Sequence, residues 1–451
     1  VGLVFAYFAL PVFNEFSNKN LSMSTFTNPV NIAALIVLMF IVGIGSGSYP
    51  ALVMSAFRPV EIFRGKLKLG GKNLFTRSAV VIQFSLSIFL IISTIIMGKQ
   101  IEYMINKDQG YDKEGIVVIN TQERSNQNSV KIIDHLKNRA RQYGSLINVT
   151  GTNVSFGRGS SGYPLEKNGR RYRVNQFRVD HDYLNTMGIA LEEGRNFSID
   201  RVSDTTSVIV NRTLVNEFGI DSPIGKLIGD FVDDPQPFYP FNLRIIGVVN
   251  DFHFLSLQNE IGPAIIHIVP GWSMRTMIAR ISTDNISEAL TVLGDTWEEI
   301  QPEKPFQYTF LDDDLASMYS DVRRWGTIIR YSSIFAVVIA CMGVFGLTSI
   351  AISRRVKEIG IRKVLGAGVF QLVSLVTREF VVLVLAANVI AWPLAYYAMN
   401  SMLSDYYYRI ELGIQYFLIA GLLTVGIAIC TILFLAIKAA VSNPVDALRY
   451  E

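Results

Sequence analysis

Three short runs carry the residue types of metal or acid–base chemistry: Asp180-His181-Asp182, Asp251-Phe252-His253 and Asp312-Asp313-Asp314. Imidazole and carboxylate together suit zinc, and carboxylates alone suit calcium or magnesium. None of the three has a partner set elsewhere in the sequence that completes a ligand pattern. Asp182 reads instead as the N-cap of a helix beginning at Tyr183, and the triple Asp as a solvated turn capping a stalk. Gly157-Arg158-Gly159-Ser160-Ser161-Gly162 is glycine-rich, yet no Gly-Lys-Ser/Thr follows, and Gly225-Lys226-Leu227 fails as a phosphate loop too. No catalytic, cofactor-binding or metal-binding residue is therefore assigned, and the chain is not expected to hydrolyse ATP alone. The two cysteines, Cys341 and Cys430, lie inside apolar stretches, which argues against a zinc cluster or a disulfide in a polar domain. They read as small apolar packing residues.

The elements that hold these residues are of two kinds. The 451 residues are 50% hydrophobic and 18% charged, too apolar for an ordinary soluble domain. The excess is concentrated at 31–54, 79–98, 327–352, 370–400 and 415–438, each with roughly the 20 apolar residues that cross a bilayer. Residues 1–13 read as the tail of another span, and a start at Val-Gly-Leu is expected of a piece of a longer polypeptide. Residues 55–77 carry Arg58, Arg64, Lys66, Lys68, Lys72 and Arg77 against Glu61 alone, which places them on the cytoplasmic side. Counting spans then puts 14–30, 99–326 and 401–414 outside. Trp325, Trp392, Tyr396, Tyr397 and Tyr406 to Tyr408 are expected to form an outer aromatic belt. The net charge of +3 follows from this topology, so nucleic acid is not an expected partner. Within the spans the polar inventory is thin, with Gln83, Ser85, Ser87, Thr348, Asn388, Thr424 and Thr431 but no mid-bilayer charge of the kind an ion-coupled carrier needs.

The external segment is long enough for one large or two modest domains. Strand patterns fall at 115–120, 146–155, 171–179, 207–211, 243–249, 264–269, 274–282 and 305–311, and helical patterns at 130–142, 182–187, 212–218 and 286–300. Strand, helix, strand recurs at both ends, which predicts an α+β base built from two flanking halves, with an inserted lobe over about 180–262. Residues 99–109 are expected to continue the preceding span outward as far as Gly110.

Between two later spans lies a basic amphipathic segment, residues 353–367. Val356, Ile359 and Val364, with Ile361 and Leu365 one step round, recur at roughly helical spacing, and Arg354, Arg355, Lys357, Arg362 and Lys363 supply a cationic face. Glu358 precedes Arg362 by four residues, the favourable orientation for an intrahelical ion pair. Topology accounts for the charge; the apolar stripe still needs a partner or a headgroup layer to cover it. A second pattern is repeated. Pro59-Val60-Glu61-Ile62-Phe63-Arg64 and Pro444-Val445-Asp446-Ala447-Leu448-Arg449 each follow a span, and the same offset pairs Leu38 with Leu423, Ile44 with Ile429 and Ala51 with Ala436. This predicts the end of one membrane unit followed by a second, complete one.

The run Glu358-Ile359-Gly360-Ile361-Arg362-Lys363-Val364-Leu365-Gly366-Ala367, the long external domain after a first span and the Pro444 to Arg449 ending resemble FtsX-like permeases of ABC transporters with a MacB-like periplasmic core domain. The external domain is similar as well, through Asp182-Tyr183-Leu184, Thr186-Met187-Gly188-Ile189, Gly194-Arg195-Asn196-Phe197 and Ile246-Gly247-Val248-Val249-Asn250-Asp251-Phe252. The resemblance implies a helical transmembrane bundle plus an α+β extracytoplasmic domain with a porter-like base and an inserted lobe. The implied division is 1–70 as the end of a preceding unit, 71–98 as the first span of the second, 99–326 as the periplasmic core domain and 327–451 as a three-span permease domain. It implies that 353–367 is a coupling helix received by cytoplasmic ATPase subunits, through Arg355, Val356, Glu358, Ile359, Gly360, Ile361, Arg362, Lys363, Val364, Leu365 and Gly366. The location implied is a bacterial inner membrane, crossed several times, with the large domain in the periplasm facing an adaptor or envelope protein. The function implied is transmission of ATP-driven movement to that domain, for efflux or for handling lipoproteins. The alternatives are a membrane sensor of peptides or antibiotics and a scaffold for cell-wall hydrolases. Family members with a fused ATPase hold one unit, whereas this chain holds no ATPase and follows part of another.

Overall fold

A computed structural model describes residues 7–8, 10–11, 13–14, 21–22, 24, 28–55, 74–123, 125–233, 242–354, 358, 361–362, 365–366 and 368–441. Two apolar helices come first, α1 (Pro29–Ser55) and α2 (Leu74–Asn106). A mixed segment follows with β1 (Ile116–Asn120), α3 (Asn126–Ala140), β2 (Leu146–Thr152), β3 (Gly162–Lys167), β4 (Arg170–Arg178), α4 (Tyr183–Met187) and β5 (Leu191–Gly194). It continues through β6 (Ser207–Asn211), α5 (Arg212–Glu217), β7 (Arg244–Val249), β8 (Ala264–His267), β9 (Thr276–Ile281), α6 (Ile286–Ile300), β10 (Tyr308–Phe310) and α7 (Leu311–Ser317). Three long apolar helices close it, α8 (Ser320–Arg354), α9 (Val369–Leu403) and α10 (Ile414–Val441). The chain divides into two compact units: Val1–Lys99 with Val322–Ser401 and Glu411–Glu451, and Gln100–Asp321 with Met402–Ile410.

The first unit is helical. Thr76–Asn106, Ser320–Ser353, Thr377–Leu403 and Ile414–Ile437 are long and apolar enough to cross a membrane, while the apolar run of α1, Pro29–Gly45, is shorter. Ile334, Phe335, Val338, Ile339 and Met342 of α8 are exposed, an arrangement that suits lipid and not water. Several of the sparse polar side chains bond within or between helices, while the Thr348 hydroxyl is buried without a hydrogen-bond partner among the described residues. Ser87 Oγ donates to the Ala336 carbonyl of α8 at 3.1 Å, and Ser85 Oγ to the Ala387 carbonyl of α9 at 3.2 Å. Arg77 pairs with Glu379, Trp392 Nε1 donates to Asn388 Oδ1 at 3.0 Å, and Thr424 bonds back to the Ala420 carbonyl of its own helix.

The second unit holds two sheets. The first is antiparallel, in the order β10-β1-β9-β2, and takes its strands from both ends of the mixed segment. Alternation in β1 explains its place at the centre: Val117 and Ile119 face α3 and α6, packing with Leu136 and Trp297, while Ile116 and Val118 face the other way. The same period runs through β9, where Met277 and Ala279 join the helices and Ile278 the opposite cluster. The second sheet has six strands in the order β3-β4-β8-β6-β7-β5, with parallel pairs at β4–β8 and β6–β7. Its inner residues, Phe177, Ile209, Ile246 and Ile266, share one buried cluster with Ile116, Val118 and Ile278 of the first sheet. Its outer residues, Val208, Val210, Ile245 and Ile265, pack with Leu214 and Val215 of α5.

Candidate functional site

The residues marked out for ATPase coupling fall partly within the structure. Arg355, Val356, Ile359, Gly360, Lys363 and Val364 lie outside the described residues, as do both Pro-Val repeats, 59–64 and 444–449. Of the described ones, Glu358, Ile361 and Arg362 are helical, and Leu365 and Gly366 lie in a turn. Arg362 Nη2 meets Glu358 Oε1 at 2.7 Å, the intrahelical pair that the four-residue spacing predicts. The Leu365 amide donates to the Ile361 carbonyl at 3.0 Å, and Gly366 then ends the turn at φ +90°, where a side chain would be strained. Ile361 is 52% exposed and Leu365 80% exposed, so two apolar side chains of the stripe stand uncovered in the chain by itself.

The metal-compatible runs are taken up by structural partners. Asp180 accepts from the Gly151 amide at 2.8 Å, from the Asp182 amide at 3.0 Å and from Thr150 Oγ1, and it pairs with Lys137 at 2.9 Å. Asp182 stands at the N-cap position of α4, but its carboxylate caps nothing. It turns to Lys137 at 2.7 Å and to His181, because a half-buried ammonium on α3 gains more from a second carboxylate than the helix gains from a side-chain cap. Hydrogen bonds from His181 and then Lys137 hold the Asp182 carboxyl well below the usual carboxylate range. Burial works against the Lys137 charge, yet Asp180 and Asp182 raise its pKa. The triple Asp forms the first turn of α7, with Asp312 and Asp313 exposed to solvent as expected, while Asp314 accepts from Arg158 Nε at 2.6 Å and from Thr309 Oγ1 at 2.8 Å. Arg158 reaches it from the glycine-rich loop, where Gly157, at φ +81°, comes so close to the Asp314 backbone that a Cβ would stand 2.9 Å from its carbonyl.

Asp251 accepts from Asn211 Nδ2 at 2.9 Å and from the Thr213 amide at 2.8 Å. Asn211 is the residue that sequence reasoning missed. Fully buried at the end of β6, it caps α5 through the Leu214 amide and accepts from the Ala264 amide, so a single side chain pins two strands and a helix. The signal for it was an Asn directly after a β-branched run and directly before a helix. His253 packs edge-on to Tyr408, with ring centroids 4.7 Å apart, and burial followed by the Lys107 charge lowers its pKa to about 4. Among the described residues no group of three His, Cys, Asp or Glu side chains is placed to hold a metal ion. An open polar cleft of about 470 Å³ lies beside α5, lined by Glu193, Arg212 and Asn216, but Arg212 is already bound by Glu192 and Glu193.

The family pattern in the outer domain is structural too. Gly194, at φ +81°, lies so close to β7 that a Cβ would clash with the Ile246 carbonyl oxygen. Arg195 makes a two-pronged pair with the buried Asp204 at 2.8 and 2.6 Å, and this interaction holds the Asp204 carboxyl below its ordinary range. Residues 82–298 match the MacB-like periplasmic core domain, and residues 331–444 match the C-terminal domain of FtsX-like permeases. This chain is an FtsX-like permease with a MacB-like core domain. Relatives include the macrolide export ATP-binding/permease protein MacB of Aggregatibacter actinomycetemcomitans, 23% identical over 51% of this chain and 36% of its own length. The protein of the same name from Haemophilus ducreyi is 28% identical over 60% of this chain and 40% of its own. This permease therefore spans well under half the length of those two relatives. Among solved structures, the periplasmic region of MacB from Actinobacillus actinomycetemcomitans aligns with a TM-score of 0.34 at 18% identity, over 46% of this chain and 94% of that one.

Proposed function

We propose that the permease couples ATP hydrolysis by a separate cytoplasmic ATPase to a conformational change of its periplasmic core domain, and so drives efflux or the handling of an envelope substrate. The observation that carries this reading is the turn after α8, with Ile361 and Leu365 uncovered beside the Glu358–Arg362 pair. An apolar pair exposed on a basic segment is the kind of surface that a partner protein buries. Arg355, Val356, Ile359, Gly360, Lys363, Val364 and Gly366 extend the proposed contact. Ser85, Ser87 and Asn388 of the helical unit spend their polar groups on bonds within and between helices, which favours transmission of movement over a polar path through the bilayer. The division proposed is 71–98 as first span, 99–326 as core domain and 327–451 as permease domain, in a bacterial inner membrane with the core domain in the periplasm. The relatives named above are ATP-binding/permease proteins, which fits a permease of this kind working with an ATPase.

Replacing Ile361 and Leu365 together by Asp puts two charges where apolar contact is expected. Affinity for the ATPase should fall by about tenfold or more, with membrane insertion unchanged. Co-purification of the ATPase at the wild-type level would refute the proposed contact.

A further inference from the structure

The loop between α9 and α10 belongs to the same compact unit as the core domain: Met402–Ile410 groups with Gln100–Asp321. Three sets of interactions hold it there. Gln100, fully buried on α2, uses both ends of its amide on the loop backbone. Its Nε2 donates to the Tyr408 carbonyl at 2.9 Å, and its Oε1 accepts from the Ile410 amide at 2.9 Å, as a neighbouring strand would. The Tyr407 and Tyr408 amides donate to the carbonyls of Gln258 and Leu257 at 3.1 and 3.3 Å, and the Tyr407 hydroxyl donates to Glu260 at 2.6 Å. Lys107 stands 4.8 Å from the centre of the Tyr408 ring, whose edge meets His253. The segment receiving the loop is also bonded to the other two connections of the core domain. The His253 amide donates to the Gln109 carbonyl just past α2, and the Leu257 amide donates to the Tyr319 hydroxyl just before α8.

We infer that residues 252–261 are a hub on which every chain connection of the core domain converges, and that the Gln100-clamped loop 402–410 is a latch delivering movement of α9 and α10 to it. A loop that only joined two spans would need no buried amide reading its backbone, and Tyr406 to Tyr408 would then face the membrane interface as an aromatic belt. Tyr406 is buried, and Tyr407 and Tyr408 bond into the core domain through their backbone amides, with Tyr407 still 55% exposed. The inference rests on the transmission role proposed above, and it assigns that role a third route besides α2 and α8.

The test uses the full chain in lipid nanodiscs, read by hydrogen–deuterium exchange. Gln100→Leu is expected to speed amide exchange about tenfold or more in both 402–410 and 252–261, leaving β6 unchanged. Acceleration in 402–410 alone, or in neither segment, would overturn the latch. Should Gln100→Leu fail to fold, Tyr407→Phe removes only the bond to Glu260 and should speed the same two segments about threefold. A second arm adds the partner ATPase with ATP. The wild type should show an ATP-dependent change in 252–261, Gln100→Leu should lose it, and a disulfide formed between Gln258→Cys and Tyr407→Cys should preserve it. A full ATP response in Gln100→Leu counts against the latch. No response in the wild type counts against the ATPase reading, and the first arm alone then decides the latch.

Discussion

Protonating His267 would place a cation in a buried site beside Arg178, and for this reason burial and then that guanidinium lower its pKa to about 4. His253 is lowered to about 4 as well. Both bind protons in the unfolded chain near the ordinary 6.5 but in the folded chain only near 4, so the unfolded state takes up more protons between those values. Stability of the core domain is thus expected to be level above about pH 6.5, to fall as pH drops toward 4, and to lose nothing further through these groups below that. Each histidine contributes at most about 3 kcal/mol across the window. Asp182 and Asp204 act in the same direction at lower pH, because their carboxylates are favoured in the fold and their contribution is lost only below about 3.8. In urea titrations of the full chain over pH 4 to 7, His267→Gln should reduce the slope by up to about 1.4 kcal/mol per pH unit. An unchanged slope would show that His267 titrates normally. None of this was visible in sequence, where His267 ends an ordinary strand pattern and its neighbours, the buried Gln176 and the half-buried Arg178, lie on β4.

Central elements were legible, and so were the edges β2 and β10 of the four-stranded sheet, but the edges of the six-stranded sheet were not. The runs at 207–211 and 286–300 coincide with β6 and α6, because an alternating Val-Ile-Val core and an Ala289, Leu293, Trp297 stripe leave one option each. The two strands that the pattern did not reveal, β3 and β5, are the two edges of the six-stranded sheet. Edge strands have no partner on one side, so β3 can hold Pro164 and β5 can read Leu-Glu-Glu-Gly, features that obscure a strand. β5 also depends on a glycine. Gly194→Ala requires an unfavourable φ and drives a Cβ into the Ile246 carbonyl, and should cost about 2 kcal/mol or more in denaturant unfolding. A loss within a few tenths of a kcal/mol would mean that the β5–β7 approach is looser than described. Gln100 shows how much could be read along one helix. Ile92, Ile96, Gln100 and Met104 recur every fourth residue and are all fully buried, so a lone amide on an apolar stripe marked a specific contact without naming its partner.

At the scale of the molecule, the two sheets of the core domain share one hydrophobic cluster, in which Ile116 and Ile278 of one meet Phe177, Ile209 and Ile266 of the other. Neither sheet can lose its inner face without exposing that of its neighbour, so the core domain should unfold in one cooperative transition. With the other three tryptophans replaced by Phe, fluorescence of Trp297, buried on α6, and exchange of the β6 amides should report the same midpoint in urea; two separated midpoints would show that the sheets unfold independently. Apolar runs and basic loops by themselves determined the division into membrane helices and an outer domain, because a bilayer demands length and hydrophobicity that few other environments do. The Glu358–Arg362 pair was equally determined, since a contact four residues apart depends only on helical geometry. Only tertiary structure decided that Asp180 and Asp182 serve Lys137, that both sheets share a core, and that Tyr406 to Tyr408 join the core domain. Those outcomes depend on residues up to 310 positions apart, and separation of that kind leaves no local period for a sequence to display.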